Sequence, residues 1–129
     1  MNKKWLFTSL ILFALAILLG AFGAHGLKSL VNSSDLTVFE VAVRYQFYAA
    51  FFLMGYSWIE SSESLNKSLV PAFFFLGWFL FSGSLYGIVA CHALGLNAVF
   101  LGPITPLGGV LMVFSVLWLV VVLGKLRQK

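Results

Sequence analysis

Two opposite charges, Glu40 and Arg44, lie four residues apart in an otherwise apolar stretch of the chain. On a helix this spacing places them on adjacent turns, with the acid first, which is the favourable order for an ion pair. Charged side chains within membrane helices usually face the bundle interior or a water-filled cavity, so the pair could line such a cavity. Alternatively, Glu40 could cap a helix while Arg44 reaches toward the membrane surface. The sequence leaves both interpretations open.

The chain has four apolar stretches long enough to be membrane helices, and further polar side chains lie near one end of each. These ends are expected to lie at the same depth in the membrane as Glu40 and Arg44. His25 could relay protons or act as a ligand, although a histidine at a helix end more often hydrogen-bonds a neighbour or water. Together these residues predict a polar pocket or contact surface in the outer leaflet, formed by His25, Glu40, Arg44, Tyr45, Gln46, Ser82, Ser84, Tyr86 and Thr105.

Catalytic and metal-binding patterns are not evident among these residues. The two histidines, Cys91 and four acidic residues show no convincing metal-ligand spacing, and Ser84 has no recognisable triad partners. We therefore expect no metal, no cofactor and no enzymatic activity.

The elements that must position these side chains are four hydrophobic stretches, at residues 5–24, 38–59, 69–90 and 103–123. Each has about the 20 residues that a helix needs to cross the hydrocarbon core. The chain is 61% hydrophobic and only 9% charged, as expected for a membrane protein. We predict an all-α, four-transmembrane-helix bundle in a single domain, 1–129, with helices at about 5–26, 38–59, 69–90 and 103–123. Thr37 and Glu40 fit a capping box that would begin the second helix.

Small residues recur at spacings that allow close contact between helices. Ala16, Gly20 and Ala24 form one small-xxx-small series, and Gly83 and Gly87 form another. The residues predicted to pack helices are Gly20, Gly23, Ala24, Gly83, Gly87, Gly108 and Gly109. Close packing at these positions does not exclude a pocket beside them.

Basic residues are distributed unevenly about the predicted spans. One side carries Lys3, Lys4, Lys67, Lys125, Arg127 and Lys129, and the other carries Lys28 outside the spans. The positive-inside rule therefore places both termini in the cytoplasm. A cleavable signal peptide at the first stretch is the alternative, but its length favours a retained helix. The basic ends fit lipid head groups, and nucleic-acid binding is not expected.

Four motifs carry a resemblance to a known family. They are GAFGAHGL at 20–27, RYQ at 44–46, LFSGSLY at 80–86 and ITPLGG at 104–109, in that order. The chain resembles the YgdD/YwdK-like family of small bacterial inner-membrane proteins, a domain of unknown function. The resemblance implies four membrane helices and no established activity. In that family a histidine usually follows the RYQ glutamine by three residues, whereas this chain has Ala49.

Three classes of function compete on these grounds. We favour a binding or accessory protein that holds a lipid, a small solute or a partner helix in the outer leaflet. A conduit or transporter for a small solute or ion is the alternative, because an oligomer could form a passage. A membrane enzyme is less favoured. Membrane lipids are the expected partners, and the small-residue faces permit a homo-oligomer or a larger membrane complex.

Overall fold

A computed structural model describes residues 1–59 and 68–127, and these residues form four long helices. The helices are α1 (Lys3–Ala24), α2 (Ser33–Ile59), α3 (Val70–Ala93) and α4 (Ile104–Arg127). Short 3₁₀ helices, Leu27–Ser29 and Val99–Leu101, lie before α2 and α4. Each long helix is long and apolar enough to cross a membrane. The described residues contain no strand, so the predicted all-α four-helix fold is confirmed.

Consecutive helices run in opposite directions and pack against each other, α1 on α2, α2 on α3 and α3 on α4. We call the end where α1 and α3 finish and α2 and α4 begin the distal end. The opposite end, with Lys3 and Arg127, is the terminal end. Of the basic residues on which the predicted orientation rests, Lys67 and Lys129 lie outside the described residues.

Apolar side chains fill the space between the helices at three levels. The middle level joins all four helices through Leu12, Ala49, Trp78, Met112 and their neighbours. The distal level comprises Leu27, Phe39, Val43 and Val89, and the terminal level comprises Tyr56, Val70 and Leu119. Large apolar side chains also cover the outside of the bundle, as a hydrocarbon environment requires. On α4 they include Val110, Val113, Leu117 and Val120.

The start of α2 differs from the predicted boundary. The helix begins at Ser33, so the capping box of Thr37 and Glu40 is wrong. Thr37 lies inside the helix, where its hydroxyl donates to the Ser33 carbonyl at 3.0 Å. Asn32 caps the helix instead, because its side-chain oxygen accepts from the Asp35 amide at 2.8 Å.

The other helix ends also differ from the predicted ranges by a few residues. α1 stops at Ala24, and α3 continues to Ala93, which places His92 in the helix rather than in a loop. Pro71 lies in the first turn of α3, where its missing N–H costs no hydrogen bond. α4 continues to Arg127, where its last turn carries Lys125 and Arg127. Basic side chains there interact favourably with the helix dipole.

A candidate binding groove between α1 and α2

Gln46 forms the central polar contact of the bundle. Its amide nitrogen donates to the Leu12 carbonyl of α1 at 3.0 Å, and its amide oxygen accepts from the Tyr86 hydroxyl of α3 at 2.8 Å. The side chain is 2% exposed. A buried amide without partners would be costly in hydrocarbon, so these bonds hold α2 to both neighbouring helices.

Serines on α3 make two further contacts between helices. The Ser82 hydroxyl donates to the Ala42 carbonyl of α2 at 3.0 Å. The hydroxyls of Ser84 and Thr105 lie 2.6 Å apart and join α3 to α4. Five of the predicted pocket residues, including Gln46 and Tyr86, therefore use their polar groups to connect helices.

Tyr45 lies apart from these hydrogen bonds. Its ring packs against Phe81 at a centroid distance of 4.3 Å. It also lines a cavity of about 410 Å³ that Gly109 and Met112 border on α4. This cavity is separate from the surface that carries Glu40 and Arg44, and its walls are almost entirely apolar.

Glu40 and Arg44 are both exposed on α2, and they border a groove of about 290 Å³ between α1 and α2. The predicted ion pair between them is wrong, because their charged atoms do not come within 4.0 Å of each other. Their charges therefore remain available to another molecule.

Small residues of α1 form the floor of this groove. A Cβ atom on Gly20 would lie 3.6 Å from Val43, and one on Gly23 would lie 3.0 Å from Phe39. The predicted packing role of both glycines fits this geometry, and Ala24 lines the same groove. Close approach of the two helices leaves a shallow channel with Phe47 at its inner limit and the two charges along one edge.

The remaining predicted glycines differ in their surroundings. A Cβ on Gly83 would meet no atom within 4 Å, so this residue does not lie at a helix contact. Gly87 faces Leu101 and Gly109 faces Phe81. Gly108 forms the tightest contact, with the backbone of Phe81 and the carbonyl of Gly77. Gly77 is a packing residue that the sequence did not reveal, because it belongs to no small-xxx-small series.

The distal end contains a polar cluster that the sequence analysis missed. Asp35 is buried and accepts a hydrogen bond from the Asn32 amide at 3.1 Å. Its other carboxylate oxygen lies 2.7 Å from Nδ1 of His92, so the pair joins the start of α2 to the end of α3. The Asn-x-x-Asp spacing of a helix cap was the available signal. His25 is exposed at the end of α1.

In the parts of the chain that the structure describes, no group of three or more histidine, cysteine or acidic side chains is arranged to hold a metal ion. Trp78 has a buried indole nitrogen with no hydrogen-bond partner among the described residues. It lies in the middle apolar level, away from the groove.

The comparisons with known proteins decide the family. Residues 19–109 match the family described as "Protein of unknown function (DUF423)". The chain belongs to this family. A UPF0382 membrane protein of Staphylococcus saprophyticus is 40% identical over 88% of both chains. UPF0382 membrane proteins of Staphylococcus epidermidis and of a bovine Staphylococcus aureus strain are 38% and 36% identical over 88% of this chain and 87% of theirs.

No solved structure matches this chain. The family and its bacterial membrane-protein relatives confirm the resemblance at the level of a membrane-protein family of unknown function. The matched region includes α2 and α3 entirely, and it includes the part of α1 that forms the groove.

Proposed function

We propose that this is a membrane binding or accessory protein whose α1–α2 groove holds an amphiphilic molecule or a partner. The observation that carries this proposal is the exposure of two opposite charges, Glu40 and Arg44, beside a floor of small residues. Intramembrane charges are costly and usually functional, and these two have no mutual ion pair.

The groove supports binding better than it supports transport. A conduit needs polar groups along the whole path of its solute, whereas Gln46, Tyr86 and Ser82 are engaged in contacts between helices. Catalysis needs a nucleophile, an activated water or an acid–base pair close to a substrate. Glu40 and Arg44 offer charge for recognition without a neighbouring nucleophile, so we do not propose an enzyme.

We also propose the orientation and the membrane. Lys3, Lys4, Lys125 and Arg127 lie at the terminal end, whereas Lys28 lies at the distal end. The positive-inside rule then supports cytoplasmic termini in the bacterial cytoplasmic membrane, with the groove in the outer leaflet. The quoted motifs support the narrower YgdD/YwdK-like assignment.

Native mass spectrometry of protein extracted gently from its own membrane tests the binding proposal. The wild type should carry a discrete additional mass, or migrate with another polypeptide. Combined replacement Arg44→Ala and Glu40→Gln should remove that mass without loss of helical circular dichroism. Lys28→Gln is the matched control, because it removes a charge at the distal end but outside the groove. Unchanged binding by the double variant would refute the proposal.

A further inference from the structure

The depth of the two charges in the groove indicates what kind of molecule fits it. Gly20 lies opposite Val43, and Gly23 lies opposite Phe39. Glu40 is therefore level with the last turn of α1, close to the distal end. Arg44 lies one turn further from that end, about 6 Å along the α2 axis. A ligand that extends into the groove from the distal end therefore meets the Glu40 carboxylate first and the Arg44 guanidinium further in.

The groove continues toward the middle of the bundle as an apolar channel. Val43 and Phe47 line it, and the Phe47 ring packs edge-on against Phe13 at 5.4 Å. Phe13 in turn packs against Phe51 at 5.5 Å, which extends the aromatic surface along α2. An acyl chain lying against these rings would exchange one apolar environment for another, so chain contacts alone give little selectivity. Selectivity must come from the two charges.

We propose that the groove binds a glycerophospholipid whose head group carries an amine beyond the phosphate. Arg44 would donate paired hydrogen bonds to the phosphate, which guanidinium groups recognise well. Glu40 would accept from the ammonium group, which lies nearer the aqueous surface. The order of charges along the groove thus matches the order of charges in the lipid. This inference rests on the proposed function and specifies its ligand.

Other occupants satisfy the two charges less completely. An anionic lipid without an amine leaves Glu40 unpaired beside a negative phosphate. A quaternary ammonium has no N–H to donate to that carboxylate. A second copy of the chain could pair Glu40 with Arg44 across a two-fold axis, since such an interface is self-complementary. The dimer would then exclude lipid from the groove, which makes it a distinguishable outcome.

The test uses the full-length protein in nanodiscs that contain equal amounts of phosphatidylethanolamine, phosphatidylglycerol and phosphatidylcholine. The protein is then released from the nanodiscs, and native mass spectrometry counts the lipids of each kind that remain bound to it. The wild type should retain phosphatidylethanolamine with roughly tenfold preference, the size expected of one charged hydrogen bond. Glu40→Gln should reduce that preference to about one while lipid is still retained. Arg44→Ala should lower retention of every lipid.

Two further variants separate lipid binding from general damage. Gly20→Leu should place a side chain in the channel and reduce the retention of lipid. The fold should tolerate this change, because a Cβ at Gly20 makes only an ordinary contact with Val43. Lys28→Gln should retain the wild-type preference. Equal retention of the three lipids by the wild type would overturn the head-group assignment and leave groove binding intact. A dimer cross-linked through the groove, with no lipid retained, would also overturn the head-group assignment.

Discussion

The Gln46 side chain shows how a single polar residue can define the arrangement of three helices. Its two hydrogen bonds reach α1 and α3, about 20 Å along α2 from Ser33. Ser82 adds a second bond between α2 and α3. In hydrocarbon no water replaces these bonds, so they fix which faces of the helices meet.

Replacing Gln46 should therefore destabilise the bundle by breaking both bonds. We expect Gln46→Leu to lower the free energy of unfolding by about 1 to 3 kcal/mol, and Tyr86→Phe to lower it by about half as much, since it removes one bond. Unfolding in mixed detergent micelles measures both values. Ser57→Ala is the control, because among the described residues that buried hydroxyl donates to the Met54 carbonyl of its own helix and to no other helix. If Ser57→Ala cost as much as Gln46→Leu, the interpretation would be wrong.

Asp35 and His92 should hold the distal ends of α2 and α3 together. The Asp35 side chain is 9% exposed and that of His92 is 45% exposed, so the contact is partly open to solvent. Asp35→Ala should destabilise the start of α2 by about 1 to 2 kcal/mol, through loss of the His92 contact and of the hydrogen bond that the carboxylate accepts from the Asn32 side-chain amide. Hydrogen exchange at the Asp35 and Leu36 amides measures this effect. His92→Ala, which leaves the side-chain hydrogen bond between Asn32 and Asp35, should have a smaller effect on those amides.

At the scale of elements, the α3–α4 contact depends on two facing glycines. A Cβ on Gly108 would collide with the backbone of α3, which cannot move as a flexible side chain can. A Cβ on Gly77 would meet the Gly108 carbonyl at 2.9 Å. The two helices can therefore approach this closely only while both residues remain glycine.

Gly108→Ala should separate α3 from α4 and lower the free energy of unfolding by about 1 to 3 kcal/mol, the range for overpacked sites. Gly77→Ala should behave similarly. Gly83→Ala is the matched control, because its Cβ would enter open space on the same helix. That variant should be neutral or slightly stabilising, since alanine is the better helix former. Thermal unfolding in detergent compares the three variants, and equal midpoints for Gly108→Ala and Gly83→Ala would contradict the packing argument.

The helices could be predicted from the sequence because length and hydropathy suffice to identify a membrane span. Their ends could not, since polar residues such as Ser33, Asp35 and His92 continue the helices beyond the apolar stretches. The sequence also predicted which polar residues could belong to the site and which small residues could pack helices. Their partners could not be predicted, because a helix in lipid is apolar on all faces and its sequence does not mark the inward one. Gly77 and Gly83 show this difficulty, since only the first lies at a contact.

At the scale of the whole molecule, the asymmetry between the two ends connects the groove with its membrane leaflet. The groove opens near the distal end, and the terminal end carries basic side chains in the last turn of α4. The proposed lipid contacts therefore belong to the outer leaflet only if the termini are cytoplasmic. The orientation can be measured independently of any ligand, which makes it a useful constraint on the function.

Thiol labelling of intact cells measures that orientation. Cys91 is first replaced by serine, which removes the native thiol. In this background, Leu96→Cys places a thiol at an exposed distal position, whereas Lys125→Cys places one in the last turn of α4. A membrane-impermeant maleimide should label Leu96→Cys in intact cells, and it should label Lys125→Cys only after permeabilisation. The reverse pattern would place the groove in the inner leaflet, where Glu40 and Arg44 would meet lipids of the cytoplasmic face.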